Sequence, residues 1–242
     1  MTQIKTIFFD LDDTLVDNLY AQRAAMADTY EHFRSIFHAI PLDRLNDEFE
    51  KVNLRLWEQL SRHEITAREY YQQRFLQTLQ KVFALTPLIK YDLRDAFTID
   101  PYFDERYEAH VRETPAATDL LHTLHGRYDL GLITNGFRDI QHRKLAALGW
   151  TSLFSHIITS EDAGAMKPHE DIFFTAERAS AREPKEIVFV GDNFHNDVAA
   201  AKRHGWRTVW YNPRSHTAPD SSADVEVRTL HDVATMFQIV PA

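Results

Sequence analysis

Residues 7–15 read Ile7-Phe8-Phe9-Asp10-Leu11-Asp12-Asp13-Thr14-Leu15, an apolar run that stops at three acids within four residues. Such a run, bounded by charge, predicts a strand over residues 4–10 buried on both faces, as in a parallel sheet. Sheets of that kind bind ligands beyond the carboxyl ends of their strands. Asp10 and Asp12 lie two apart, so in extended chain both carboxylates project to one side. One of a pair so placed can attack an electrophile while its neighbour delivers or accepts a proton. Crowded carboxylates repel, a divalent cation is the expected neutraliser, and hard oxygen ligands favour Mg²⁺. The plainer alternative is a polar loop after a buried strand, with Asp13 or Thr14 capping the next helix.

Past Asp17 the texture becomes helical. Met26, Tyr30, Phe33 and Phe37 recur at helical spacing, as do Leu42, Leu45, Phe49, Val52, Leu56 and Leu60, with Pro41 between the two sets. A third stripe at Tyr71, Phe75, Leu79 and Val82 ends at Pro87, a short helix near Leu93–Phe97 should stop before Pro101, and Phe103, Tyr107 and Val111 predict another. No alternating strand pattern falls between residues 18 and 110. All seven glycines lie at or after Gly126, and there strands and helices begin to alternate. Pro115 is read as opening a helix that ends at Gly126. Strands are then expected at Leu130–Ile133, His156–Ile158, Ile187–Val190, Thr208–Tyr211 and Val225–Val227. Helices are expected at 138–148, 171–179, 195–204 and 230–237, and an exposed loop at 213–223. Strands alternating with helices predict a doubly wound parallel sheet.

Each core strand ends in polar residues. Thr134-Asn135-Gly136 supplies a hydroxyl, an amide and bare backbone at a helix N-terminus, a fit for an anion or simply a turn. Lys167 can neutralise a phosphate and a nucleophilic carboxylate, or be an ordinary surface lysine. Asp192, directly after an apolar run, is placed as a metal ligand; Asp197 is either a supporting acid or a favourable charge in the first turn of a helix.

At 242 residues, 44% hydrophobic and 26% charged, the chain suits one large α/β domain or a core with an insert. It has no cysteine, which excludes disulfides and thiolate chemistry. A net charge of −9 argues against a nucleic-acid polymer as partner, though not against a small phosphorylated substrate. With no apolar run of membrane-spanning length and no basic-then-apolar leader, the expectation is a cytoplasmic protein without a membrane partner, monomeric or homodimeric.

Taken together, the pattern DxDxT, a strand ending in Thr-Asn-Gly, Lys-Pro and GDxxxxD resembles the haloacid dehalogenase superfamily, most of whose members are phosphatases. The resemblance implies a Rossmann-like core over residues 1–17 and 111–242 with an inserted all-helical cap over 18–110 that sets specificity. It implies Asp10 as a nucleophile forming an aspartyl-phosphate and Asp12 as the acid that protonates the leaving oxygen, then activates water. Mg²⁺ is implied on the Asp10 and Asp192 carboxylates and the Asp12 backbone carbonyl, supported from behind by Asp197. Thr134, Asn135 and Gly136 are implied as the phosphoryl cradle, with Lys167 offsetting developing charge. Dehalogenases lack the acid two residues after the nucleophile, so Asp12 favours phosphate chemistry. A response-regulator receiver also gathers acids around Mg²⁺, but its acceptor follows a third strand and it needs no helical insert. Short stretches around Asn53–Trp57, Glu64–Thr66, Arg74-Phe75 and Ser160–Gly164 are similar to pyrimidine 5'-nucleotidases of the YjjG/YfnB type. That likeness implies Asn53, Trp57 and Arg74 as substrate contacts. Trp57 reads first as a packed aromatic, and Arg74 equally as the partner of a carboxylate in the insert. Other phosphorylated small metabolites, sugar phosphates among them, remain as alternative substrates, and a binding protein of this fold as an alternative class.

Overall fold

The computed structural model describes residues 3–84, 92–217 and 223–239. Six strands, β1 (Thr6–Phe9), β2 (Asp129–Thr134), β3 (His156–Thr159), β4 (Ile187–Gly191), β5 (Arg207–Tyr211) and β6 (Val225–Val227), form one sheet in the order β3-β2-β1-β4-β5-β6. Every neighbouring pair is parallel. β1 and β4 are buried along their whole length, which is why they read as unbroken apolar runs. From β1 the chain builds outward on one side through β2 and β3, then returns to build β4, β5 and β6 on the other. That reversal opens a crevice beyond the carboxyl ends of β1 and β4. Asp10 and Asp192 are the residues that leave those two strands, and the Asp10 N–H donates to the Val190 carbonyl at 2.9 Å.

The helices are α1 (Asn18–His32), α2 (Arg34–Phe37), α3 (Leu42–Ser61), α4 (Ala67–Ala84), α5 (Ala96–Ala109), α6 (Ala117–Leu124), α7 (Arg138–Ala147), α8 (Ser160–Ala163), α9 (Glu170–Ser180), α10 (Ala200–Arg203) and α11 (Leu230–Ile239). Two compact units result: Met1–Asn18 with Arg112–Ala242, which holds the sheet, and Leu19–Val111, all helical among its described residues. The helical unit has its own core, with Met26, Phe37, Phe49, Phe75, Leu79 and Phe103 buried together. The sheet unit buries Phe8, Ile133, Phe173, Phe189 and Trp206. Within the sheet unit the segments leading out to and back from the insert run side by side. The Asp17 N–H donates to the Arg112 carbonyl and the Thr114 N–H to the Leu15 carbonyl. Among the described residues no helix is long and apolar enough to cross a membrane.

Local signals were overridden at three places. Pro101 lies inside α5 instead of following a helix end. It removes the donor that would reach the Phe97 carbonyl, at a cost of about 3 kcal/mol in a helix interior. Ile99 and Phe103, buried on either side of it, hold the helix through the gap, while Phe97 faces solvent. α6 starts at Ala117 and not at Pro115, because Ala116 takes a left-handed conformation with φ 71°. The helix expected over 195–204 opens as a π-helical turn, Phe194–Ala199, before α10. The turn widens where the Asp197 carboxylate folds back to accept the Asn193 N–H at 2.9 Å. Pro87 and residues 218–222 of the expected loop lie outside the described residues.

Candidate active site

Three acids and a lysine meet at the crevice. Lys167, after α8, is 4% exposed, and its Nζ donates to Asp10 at 2.6 Å and to Asp197 at 2.7 Å. The Thr14 hydroxyl lies 3.3 Å from oxygens of both Asp10 and Asp192 and accepts the Asp192 N–H at 3.0 Å. Its single proton can serve only one of those carboxylates. Oxygens of Asp10, Asp192 and Asp197 all lie within 4.8 Å of one another. Burial pushes the Asp10 carboxyl up to about 7 against the pull of Lys167, and the Asp197 and Asp12 charges add to the push. Burial, then the charges of Asp10 and Asp197, raises Asp192 well above the usual carboxylate range. Burial alone would lower Lys167; Asp10 and Asp197 outweigh it and hold the ammonium above its ordinary value. Three carboxylates around one ammonium leave negative charge uncompensated, and the donors are all hard oxygen. That set fits a small divalent cation such as Mg²⁺. Asp197 can come this close because Gly191 has no side chain: a Cβ there would sit 2.4 Å from the Asp197 carboxylate.

The structure turns Asp12 toward a different set of partners. Its carboxylate takes one bond from Gln141 at 2.8 Å and one from Lys144, both on α7 and both buried. Gln141 also donates to the Thr134 hydroxyl at 2.9 Å, and so does the Gly136 N–H at 3.1 Å. The Asn135 carboxamide is spent on the main chain of Lys167, accepting its N–H at 2.6 Å and donating to its carbonyl at 2.9 Å. Thus Asn135 anchors the loop that carries the lysine. Sequence reading did not single out Gln141 and Lys144. The available signal was a helical stripe, Gln141, Lys144, Leu145 and Leu148, on which two polar residues hold inward positions.

The remaining expected contacts lie in the helical unit. The Tyr70 hydroxyl donates to the Asn53 carboxamide, and Trp57, half-buried, meets the Tyr70 ring edge-on with centroids 5.5 Å apart. Arg74 is 5% exposed and forms ion pairs with Asp100 and Asp104 of α5. Its guanidinium also lies 4.8 Å from the Tyr71 ring centroid and 5.3 Å from that of Phe103. Arg74 therefore ties α4 to α5, the pairing with carboxylates of the insert that its position also allowed. Removing one partner of a buried ion pair strands the other's charge, so Arg74→Met should cost about 3–5 kcal/mol of unfolding free energy. Urea unfolding measures this, and a loss below about 1 kcal/mol, the range of exposed pairs, would mean that the ion pairs do little to hold α4 to α5.

A family model described as haloacid dehalogenase-like hydrolase matches residues 4–205. The glyceraldehyde 3-phosphate phosphatase of Pyrococcus abyssi is 32% identical over 209 residues, 86% of this chain and 81% of that protein. The pyrimidine 5'-nucleotidase YjjG of Escherichia coli is 30% identical over 125 residues, 51% of this chain and 56% of its own. In fold, the chain resembles a magnesium-bound crystal structure of the HAD-hydrolase YfnB of Bacillus subtilis. The TM-score is 0.82 at 24% identity, covering 98% of this chain and 100% of that one.

Proposed function

The chain belongs to the haloacid dehalogenase-like hydrolases, and from that premise we propose that it is a Mg²⁺-dependent phosphomonoesterase acting on nucleoside 5'-monophosphates, pyrimidines foremost. The observation that carries the phosphatase reading is the buried cluster of Asp10, Lys167 and Asp197 beside Asp192 at the crevice of the sheet. Asp10 attacks phosphorus in line, forming an aspartyl-phosphate as the ester oxygen departs. Asp12 gives that oxygen a proton, then takes one from the water that hydrolyses the phosphoenzyme and regenerates Asp10. Lys167, the Thr134 hydroxyl and Asn135 meet the charge spread over the phosphoryl oxygens. The Asp10 and Asp192 carboxylates with the Asp12 carbonyl would hold Mg²⁺, supported by Asp197; when bound, it supplies the positive charge that keeps these acids ionised and draws charge from the phosphoryl group. A halide leaves without a proton, so an acid held at position 12 supports phosphate over halide chemistry.

We assign residues 19–111 the role of a specificity cap, which shields the phosphoenzyme from bulk water. The pyrimidine preference rests on the likeness of the Asn53–Trp57 and Arg74-Phe75 stretches to the nucleotidases, and on the kinship to YjjG. A second reading, a triose or other sugar phosphate, is favoured by the likeness to glyceraldehyde 3-phosphate phosphatase over most of the chain. The test is phosphate release from a panel of nucleoside monophosphates and sugar phosphates, with Mg²⁺ and with a chelator. Pyrimidine monophosphates should lead, and only with Mg²⁺. Triose phosphates leading would replace the nucleotidase reading with the second. Release from no substrate would leave a binding protein of the same fold.

A further inference from the structure

We propose that Gln141 and Lys144 are positioning residues that form one bracket on α7 and hold Asp12 in the orientation from which it protonates the leaving group. The proposal rests on the reading of Asp12 as the proton donor.

Three observations carry it. First, the two donors share the carboxylate evenly: Lys144 bonds one oxygen of Asp12 and Gln141 the other. They sit three residues apart on one helix, hence on one face, and both are buried. A carboxylate fixed at both oxygens cannot rotate freely, and proton transfer needs its oxygen within about 2.6–3.2 Å of the acceptor. Second, Gln141 gives its other hydrogen to the Thr134 hydroxyl, so one amide links the proton donor to the group that meets the phosphoryl oxygens. The same amide leaves its own carbonyl oxygen buried with no partner among the described residues. A leucine would avoid that penalty, and turning the amide over would aim its oxygen at the Asp12 carboxylate. The amide is kept for its two hydrogens. Third, the backbone makes room for it. A Cβ on Gly136 would come within 1.7 Å of the Gln141 amide nitrogen and 2.5 Å of its amide carbon. The glycine of the Thr-Asn-Gly turn is thus the space through which Gln141 reaches Asp12.

Leaving-group dependence separates positioning from mere structural support. An alkyl phosphate departs as a strongly basic alkoxide and needs the proton; 2,4-dinitrophenyl phosphate departs as a weakly basic phenolate and does not. In kcat/KM, only steps up to leaving-group departure count, so the later hydrolysis of the phosphoenzyme does not enter. Lys144→Met and Gln141→Leu should each lower kcat/KM for a nucleoside or glycerol monophosphate by roughly 10- to 100-fold, part of the ~10²–10⁴ a placed acid supplies. For 2,4-dinitrophenyl phosphate the loss from Lys144→Met should stay within about threefold, since the acid contributes little when the leaving group is weakly basic. Gln141→Leu also releases the Thr134 hydroxyl, so its effect is the ratio of the losses on the two substrates, expected to exceed about threefold. The ratio of the two rates is taken on one preparation, so any unfolded fraction cancels. Asp12→Asn is run alongside. If it shows the selective loss while both α7 variants lose equally on the two substrates, or not at all, the bracket is refuted and the proton donor stands. If Asp12→Asn itself shows no selectivity, the premise falls and the bracket with it.

Discussion

Asp10→Asn is expected to lower phosphate release by on the order of 10⁴-fold or more, as the loss of a covalent nucleophile does. The same variant should melt at a higher temperature than the parent protein in chelator at pH 8. The two expectations share one cause. Asp10 is 8% exposed and its oxygens face those of Asp192 and Asp197, so the ionised nucleophile is held against burial and like charge. Its carboxyl stands at about 7 in the fold against an ordinary 3.8. An acid whose folded value is raised adds stability below its unfolded value and loses that contribution as pH rises through about 7. At pH 8 the loss is complete, and the neutral amide of asparagine avoids it while keeping a hydrogen-bond acceptor for Lys167. Mg²⁺ should stabilise the parent protein by an amount that grows with its concentration, and the variant much less. Residual turnover within tenfold of the parent would remove Asp10 from the nucleophile's role. A variant that melts lower in chelator would show that the cluster is balanced by Lys167 without a cation.

How far the sequence could be read follows from which interactions are local. The strand ends were legible because a strand buried on both faces leaves an unbroken apolar run, and Asp10, Thr134 and Asp192 mark where such runs stop. That the strands run parallel followed from helices of crossover length between those runs; their order came with the structure. What sequence reading missed lies in pairings between distant residues. Gln141 and Lys144 reach Asp12 across 129 and 132 positions of chain, and nothing at Asp12 names its partners. Gly136 looked like open backbone for an anion; only the structure shows its space filled by Gln141. Asn135 looked like a ligand donor because a carboxamide at a helix N-terminus serves an anion and a loop equally well, and here it serves the loop of Lys167. At Pro101 a sound local rule lost to packing, since the buried Ile99 and Phe103 hold α5 across the missing hydrogen bond. Arg74 was ambiguous in the same sense: a cation on an apolar stripe needs an anion, and the stripe alone does not say whether the anion is Asp100 or a substrate.

Lys167→Met is expected to cost about 3–5 kcal/mol of unfolding free energy at pH 8 in chelator, the range found when a buried ion pair loses one partner. Methionine fills most of the lysine's volume, so little of that cost is cavity; it is the charge of Asp10 and Asp197 left facing each other. Asp197 is 1% exposed, and with the ammonium gone the Asn193 N–H is left donating to its carboxylate. The sign of the pH dependence follows. Against the push of burial, Lys167 pulls the Asp10 carboxyl down; without the ammonium Asp10 is easier to protonate, so the penalty should shrink as pH falls from 8 to 5. If stranded charge is the cause, adding Asp197→Asn to Lys167→Met should restore part of the lost stability, although Asp197→Asn alone destabilises the parent by weakening its ion pair. Such a cycle isolates the coupling between the two positions. Urea unfolding of the four proteins at both pH values measures every term. A loss below about 1 kcal/mol at pH 8, typical of exposed pairs, or a double variant no more stable than Lys167→Met, would mean that the fold tolerates the bare acids. The lysine would then be held in place for the phosphoryl group alone.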